Sequence, residues 1–150
     1  MGYIIAIDQG TTSTRTIIFD SQFAIMGQGQ EEFEQHFPKS GWVEHNPHDL
    51  LNTVITTCKK ALNDGKIRAN EILALGITNQ RETTLLWDKV TGEPIYNAIV
   101  WQDRRTSKFC DELRRAGLEK LVTSVTGLLL DPYFSATKLK WLMDNVEGAR

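Results

Sequence analysis

The chain has 150 residues, 41% of them hydrophobic and 24% charged, and a net charge of −2. That is enough for one packed domain, and the balance argues against nucleic acid or an anionic membrane as partner. The longest N-terminal apolar run, residues 3–7, is far short of a membrane span. The two cysteines, Cys58 and Cys110, have neither CxxC nor zinc spacing, which suits reduced thiols in the cytoplasm.

In chain order, residues 3–7 and 14–19 are Ile-rich runs bounded by turn formers and predict two strands. Asp20-Ser21 turns the chain. Residues 24–33 predict a third strand, weakened by Gly27 and Gly29, so the start reads as an antiparallel meander. Residues 37–44 predict a loop around Pro38, Gly41 and Trp42. Asn46-Pro47 opens a helix, because Asn caps and Pro is tolerated at the first helical position. Its apolar face is Leu50, Leu51, Val54, Ile55, Cys58, Ala61 and Leu62, and Asn63-Asp64-Gly65 ends it. Residues 72–78 and 83–87 predict strands on either side of Asn79-Gln80-Arg81-Glu82, and residues 98–101 a further one. Asp103 is expected to cap a helix reaching Arg115, and a second helix over 117–125 stops near Gly127. Ser135 is expected to cap a last helix that buries Leu139, Leu142, Met143 and Val146. Trp42, Trp87 and Trp141 read as structural. The whole is an α/β layered domain, a mixed sheet with its first three strands antiparallel, flanked by helices.

The first strand runs into Asp8, Gly10, Thr11, Thr12, Ser13 and Arg15. Gly10 lets the backbone approach a ligand closely, and successive N–H groups in such a turn make a nest for phosphate oxygens. The hydroxyls add donors, Arg15 neutralises phosphate charge, and Asp8 suits Mg²⁺, which takes oxygen ligands and keeps several waters. The same residue types also make an ordinary ligand-free turn, and the residues alone leave both readings open. No Walker A or GxGxxG pattern occurs.

A second constellation is Arg81, Glu82, Trp101 and Tyr133. Arg donates to hydroxyl oxygens and Glu accepts from hydroxyl hydrogens, which together suit a polyol. An aromatic face packs on a carbon backbone, and a tyrosine hydroxyl donates to it. An exposed charge pair after a strand, a core Trp and a surface Tyr are the plainer alternatives.

The segment Asp8-Gln-Gly-Thr-Thr-Ser-Thr-Arg15 resembles the first phosphate motif of the sugar-kinase, Hsp70 and actin superfamily, which has a ribonuclease-H-like fold. Four further segments narrow the resemblance to the FGGY carbohydrate kinases, and within them to the glycerol-phosphorylating members. They are Gly41-Trp-Val-Glu-His-Asn-Pro47, Gly76-Ile-Thr-Asn-Gln-Arg-Glu-Thr83, Tyr96-Asn-Ala-Ile-Val-Trp-Gln-Asp-Arg-Arg-Thr106 and Asp131-Pro-Tyr-Phe-Ser-Ala-Thr-Lys138. The resemblance implies ATP and Mg²⁺ at Asp8, Gly10, Thr11, Thr12, Ser13 and Arg15, with Asp8 as metal ligand. It implies glycerol held by Arg81, Glu82, Trp101 and Tyr133, and phosphoryl transfer from ATP to give sn-glycerol 3-phosphate.

In that family the general base is an Asp from a later segment, expected beyond residue 150, and the second phosphate loop and adenosine site belong to a C-terminal lobe. Residues 1–150 are therefore expected to be part of an N-terminal kinase lobe, inactive alone, from a cytoplasmic homo-oligomeric enzyme. Two alternatives stand beside this: a non-catalytic actin-like or polyol-binding module, and another FGGY sugar kinase. The Asn79–Glu82 run and residues 41–47 argue against the latter.

Overall fold

A computed structural model describes residues 2–150. The chain forms two compact units. One comprises the residues up to Gln35 with Asn46–Gln80, the other His36–His45 with Arg81–Arg150.

The first unit is a four-stranded sheet backed by one helix. Strands β1 (Tyr3–Gln9), β2 (Ser13–Phe19) and β3 (Ile25–Glu32) form the expected antiparallel meander, and β5 (Ile72–Thr78) adds to β1 in parallel, giving the order β3-β2-β1-β5. Here β4 is the short strand Glu44–His45 of the second unit. The connection to β5 is helix α1 (Pro47–Gly65), whose first turn is capped by the Asn46 side chain accepting from the His48 N–H. The core between sheet and helix is Ile5, Ile7, Ile18, Ala61 and Ile67.

The buried face of α1 is more polar than its spacing predicts. Thr53, Thr57 and Ala61 are buried, while Leu51 and Ile55 are exposed. The hydroxyls of Thr53 and Thr57 meet those of Thr14 and Thr16 on β2 at 2.7 and 2.8 Å, so each buried hydroxyl has a partner. Gly27 and Gly29 explain themselves here. A Cβ at Gly29 would lie 2.5 Å from the Thr57 carbonyl oxygen, and one at Gly27 would lie 2.3 Å from that of Ala61. Residues that weaken the strand in propensity terms are what let the helix backbone lie against it. Ile4 on the opposite face remains exposed, as do Leu73, Leu75 and Ile77 along the edge strand β5.

In the second unit β4 pairs antiparallel with β6 (Ala98–Ile99), and three helices follow: α2 (Ser107–Arg115), α3 (Glu119–Thr126) and α4 (Ser135–Asn145). The strand expected over 83–87 does not form. Thr84 and Trp87 make only isolated bridges, to Ile99 and Pro94, and a proline has no N–H to extend a ladder. Glu44, expected to end a loop, pairs instead, together with His45. Gly41 holds the preceding turn at φ +75°, the left-handed region glycine adopts without penalty. Trp42 and Trp141 are structural as expected, but Trp87 is 62% exposed.

His45 is fully buried, and burial, then the neighbouring His36 charge, pull its pKa from 6.5 to about 4. The unfolded chain therefore binds one more proton than the folded chain below pH 6.5, and stability is lost as pH falls toward 4. Between pH 6.5 and 5, above the carboxylate range, the loss is expected to be about 2 kcal/mol. Urea unfolding at both pH values measures it. His45→Gln should flatten the dependence, and an unchanged slope in that variant would contradict the assignment.

Candidate functional site

The phosphate-type turn lies in the first unit, between β1 and β2. The Gly10 N–H donates to the Ser13 carbonyl across the turn at 3.0 Å, and the Gln80 side chain donates to the Gly10 carbonyl at 2.8 Å. A Cβ at Gly10 would meet the Ser13 carbonyl oxygen at 2.9 Å, so the turn closes as tightly as it does because residue 10 has none. Thr12 is exposed and Thr11 and Ser13 are half-buried at the tip. Asp8 and Arg15 are exposed and directly opposite one another in the β1–β2 register. They point to the sheet face away from α1, where they line a groove of about 440 Å³ with Ala6, Ile17, Gly76 and Thr78. The Arg15 guanidinium is steadied by the Gln30 side-chain oxygen at 2.8 and 3.1 Å, and Gln30 in turn donates to the Ser13 hydroxyl at 3.1 Å.

This donor set fits a phosphate and a magnesium ion in the sense that the chemistry requires. One exposed carboxylate, a tight glycine turn, three hydroxyls and a held guanidinium stand at one end of one hairpin. Among the described residues no cluster of three or more His, Cys, Asp or Glu side chains could hold a metal. A single carboxylate with water and phosphate oxygens is how Mg²⁺ is commonly held in nucleotide sites. When bound, the ion would neutralise phosphate charge.

The acceptor-type residues lie in the second unit, and the structure brings three of them together. The rings of Trp101 and Tyr133 meet edge to face with centroids 5.9 Å apart, and Phe134 packs on Tyr133 at 5.1 Å. Glu82 is tied to the same segment. Its Oε2 accepts from the Ser135 N–H at 2.8 Å and from the Ser135 hydroxyl at 2.7 Å. Arg81, next in chain, is exposed and has no side-chain partner among the described residues. The Trp101 N–H donates to the Thr83 hydroxyl at 3.3 Å, and the Tyr133 N–H donates to Asp131 at 2.8 Å.

Three features of this region differ from expectation. Ser135 does not cap α4. The helix begins at Ser135 with Phe134 as its cap residue, and the serine is engaged by Glu82 instead. The buried face of α4 is Thr137, Lys138 and Leu142, with Leu139 42% exposed. Lys138 and Leu142 are four residues apart, so helical spacing does place the lysine on the buried face. Its ammonium donates to the carbonyls of Pro132, at 3.2 Å, and Tyr133. Burial pushes its pKa down to about 8, against the pull of the Glu82, Asp103 and Asp131 charges.

Asp103 likewise caps no helix. Its carboxylate accepts from the Val43 N–H at 2.7 Å and from the Arg105 backbone and guanidinium at 2.8–2.9 Å. Arg105 also donates to Glu44 at 2.7 Å, and all three side chains are essentially buried. Trp42 and Trp141 lie 3.8 and 4.5 Å from the guanidinium carbon. Burial pushes the Glu44 carboxyl up, but hydrogen bonds from Arg105, Asn97 and Tyr96, with the Arg105 charge, outweigh it and hold the pKa below its usual value. The sequence signal was present but unspecific: a basic pair with an acid beside it.

The fold is that of a carbohydrate kinase lobe. Residues 3–150 match the N-terminal domain of the FGGY family of carbohydrate kinases, and the chain belongs to that family. It is 64% identical over 149 residues to a glycerol kinase of Rhizobium meliloti (strain 1021) and 58% identical over 149 residues to one of Brucella ovis, in each case covering 99% of this chain and 30% of the relative. Among solved structures, the crystal structure of Plasmodium falciparum glycerol kinase with ADP superposes with a TM-score of 0.89 at 34% identity, over 99% of this chain and 30% of that one. A xylulose kinase from Lactobacillus acidophilus superposes with a TM-score of 0.88 at 22% identity over 97% of this chain and 29% of that one, a likeness of fold. The chain thus spans about three-tenths of the length of these relatives. The α/β class, with a mixed sheet and antiparallel first three strands, is as the sequence implies. Among the described residues no helix is long and apolar enough to cross a membrane.

Proposed function

We propose that this chain is part of the N-terminal lobe of a glycerol kinase, a cytoplasmic and homo-oligomeric enzyme that transfers the terminal phosphate of ATP to glycerol. The observation that carries the reading is the acceptor set in the second unit. Glu82, Trp101 and Tyr133 are gathered by one segment, and Arg81 stands beside them with an unengaged guanidinium. The identities of 58–64% with glycerol kinases support glycerol as acceptor over a pentulose or gluconate.

On this reading Arg81 donates to hydroxyl oxygens of glycerol and Glu82 accepts from a hydroxyl hydrogen. The Trp101 ring covers the carbon backbone, and the Tyr133 hydroxyl donates to the substrate. The turn of Asp8, Gly10, Thr11, Thr12, Ser13 and Arg15 faces the ATP phosphates, with Asp8 toward Mg²⁺. Phosphoryl transfer is then a matter of positioning and charge neutralisation. The base that accepts the glycerol proton and the site for adenosine belong to the remaining length of such an enzyme.

A coupled assay with ATP, Mg²⁺ and glycerol tests the division of labour. The 150-residue chain alone should show no turnover, and a longer protein carrying it should form sn-glycerol 3-phosphate. Turnover by the chain alone would overturn the placement of base and adenosine site elsewhere. A longer protein that phosphorylates a pentulose but not glycerol would overturn the substrate.

A further inference from the structure

We propose that Ser135 is a positioning residue for the acceptor pocket: its N–H and hydroxyl together fix the Glu82 carboxylate so that Oε1 is left for a substrate hydroxyl. This rests on the glycerol reading above and adds to it a residue whose contribution is made through Glu82.

Both Ser135 donors converge on one oxygen. The N–H reaches Oε2 at 2.8 Å and the hydroxyl at 2.7 Å, and among the described residues no donor engages Oε1. The carboxylate is thereby divided into an anchored oxygen and an available one. The N–H is one of the first-turn donors of α4 that have no partner within the helix, and the positive end of the helix favours the ionised carboxylate there. The backbone of Glu82 points the same way. At φ +66° it occupies the left-handed region, which a non-glycine residue holds only when its surroundings enforce it. The same residue makes the two hydrogen bonds to Ser135 at its side chain.

The anchor also couples the two sides of the pocket. Ser135 follows Tyr133 by two residues, and Lys138, one turn further, grips the carbonyls of Pro132 and Tyr133. One helical turn therefore sets both the carboxylate and the aromatic wall. A serine that merely tied down a loop would need neither both donors on one oxygen nor a strained partner.

Steady-state kinetics on a longer protein carrying this chain decide the matter, with glycerol and ATP varied separately. Ser135→Ala removes the hydroxyl donor and should raise the KM for glycerol about tenfold, the worth of one charge-assisted hydrogen bond, with the KM for ATP unchanged. Ser135→Thr keeps a hydroxyl and should restore glycerol binding. Ser135→Pro removes both donors at the first helical position, where proline is tolerated, after a residue already extended at φ −76°, ψ 152°. Its loss should exceed that of Ser135→Ala. A glycerol KM within about twofold of wild type in both Ser135→Ala and Ser135→Pro would overturn the proposal, as would an equal loss for glycerol and ATP that Thr does not relieve. Absence of glycerol turnover in the unsubstituted protein would overturn the underlying reading, and this proposal with it.

Discussion

Arg105→Met is expected to destabilise the fold by about 3–5 kcal/mol, the cost of removing one partner from a buried ion cluster. The side chain is fully buried, and its two carboxylate partners are nearly or fully so. Methionine matches the length but leaves Asp103 with only the Val43 and Arg105 N–H donors, and Glu44 with only Tyr96 and Asn97. Both carboxylates then face burial without a counter-charge. Without Arg105, burial raises the Glu44 carboxyl in the folded variant, so the deficit is present at pH 7 and shrinks as pH falls and Glu44 protonates. Urea unfolding of wild type and variant at pH 7 and pH 5 measures both the loss and its pH dependence. Asp103→Asn added to Arg105→Met should recover part of the stability, since it removes one stranded charge. A loss below about 1 kcal/mol, or one that grows in acid, would mean the cluster is held by the Trp42 and Trp141 rings rather than by charge.

How far the sequence revealed this molecule depends on the kind of interaction. The meander, α1 and β5 were legible because local signals agreed: Ile-rich runs, Asn46-Pro47 at the helix start and Asn63-Asp64-Gly65 at its end. The phosphate-type turn was legible as chemistry, because Asp8, Gly10 and the hydroxyls are contiguous. The proposed acceptor set was legible only by resemblance, since Glu82 and Ser135 are distant in sequence and nothing local says that they pair. What was not legible were long-range polar pairings. Thr53 and Thr57 lie outside the apolar set that spacing picks out, yet they are buried because Thr14 and Thr16 on β2 supply partners. Ser135 and Asp103 read as helix caps by residue type, yet tertiary partners claim both side chains. A cap is a local bond to one or two N–H groups. Glu82, arriving from 53 positions away, and Arg105, with a full positive charge, are stronger competitors.

Arg81→Ala, in a longer protein carrying this chain, should lower kcat/KM for glycerol about ten- to a hundredfold, the range for losing one charged hydrogen bond to substrate. The structure makes this substitution unusually clean. Arg81 is exposed and engages no side-chain partner among the described residues, so its removal strands no buried group. Unfolding free energy should therefore stay within about 0.5 kcal/mol of wild type, as for surface substitutions generally. The kinetic loss is then attributable to substrate rather than to folding. That sets Arg81 apart from Glu82, whose anchored carboxylate and left-handed backbone make any substitution a structural change as well. Arg81→Lys should fall between, because it keeps the charge but loses the planar fork that reaches two hydroxyl oxygens at once. The KM for ATP should not move in either variant, since the phosphate-type turn has its own cation in Arg15, held by Gln30. An unchanged specificity constant for glycerol in Arg81→Ala would remove Arg81 from the acceptor set. A loss shared equally between glycerol and ATP would move it toward the phosphates instead, where an unpaired guanidinium is equally at home.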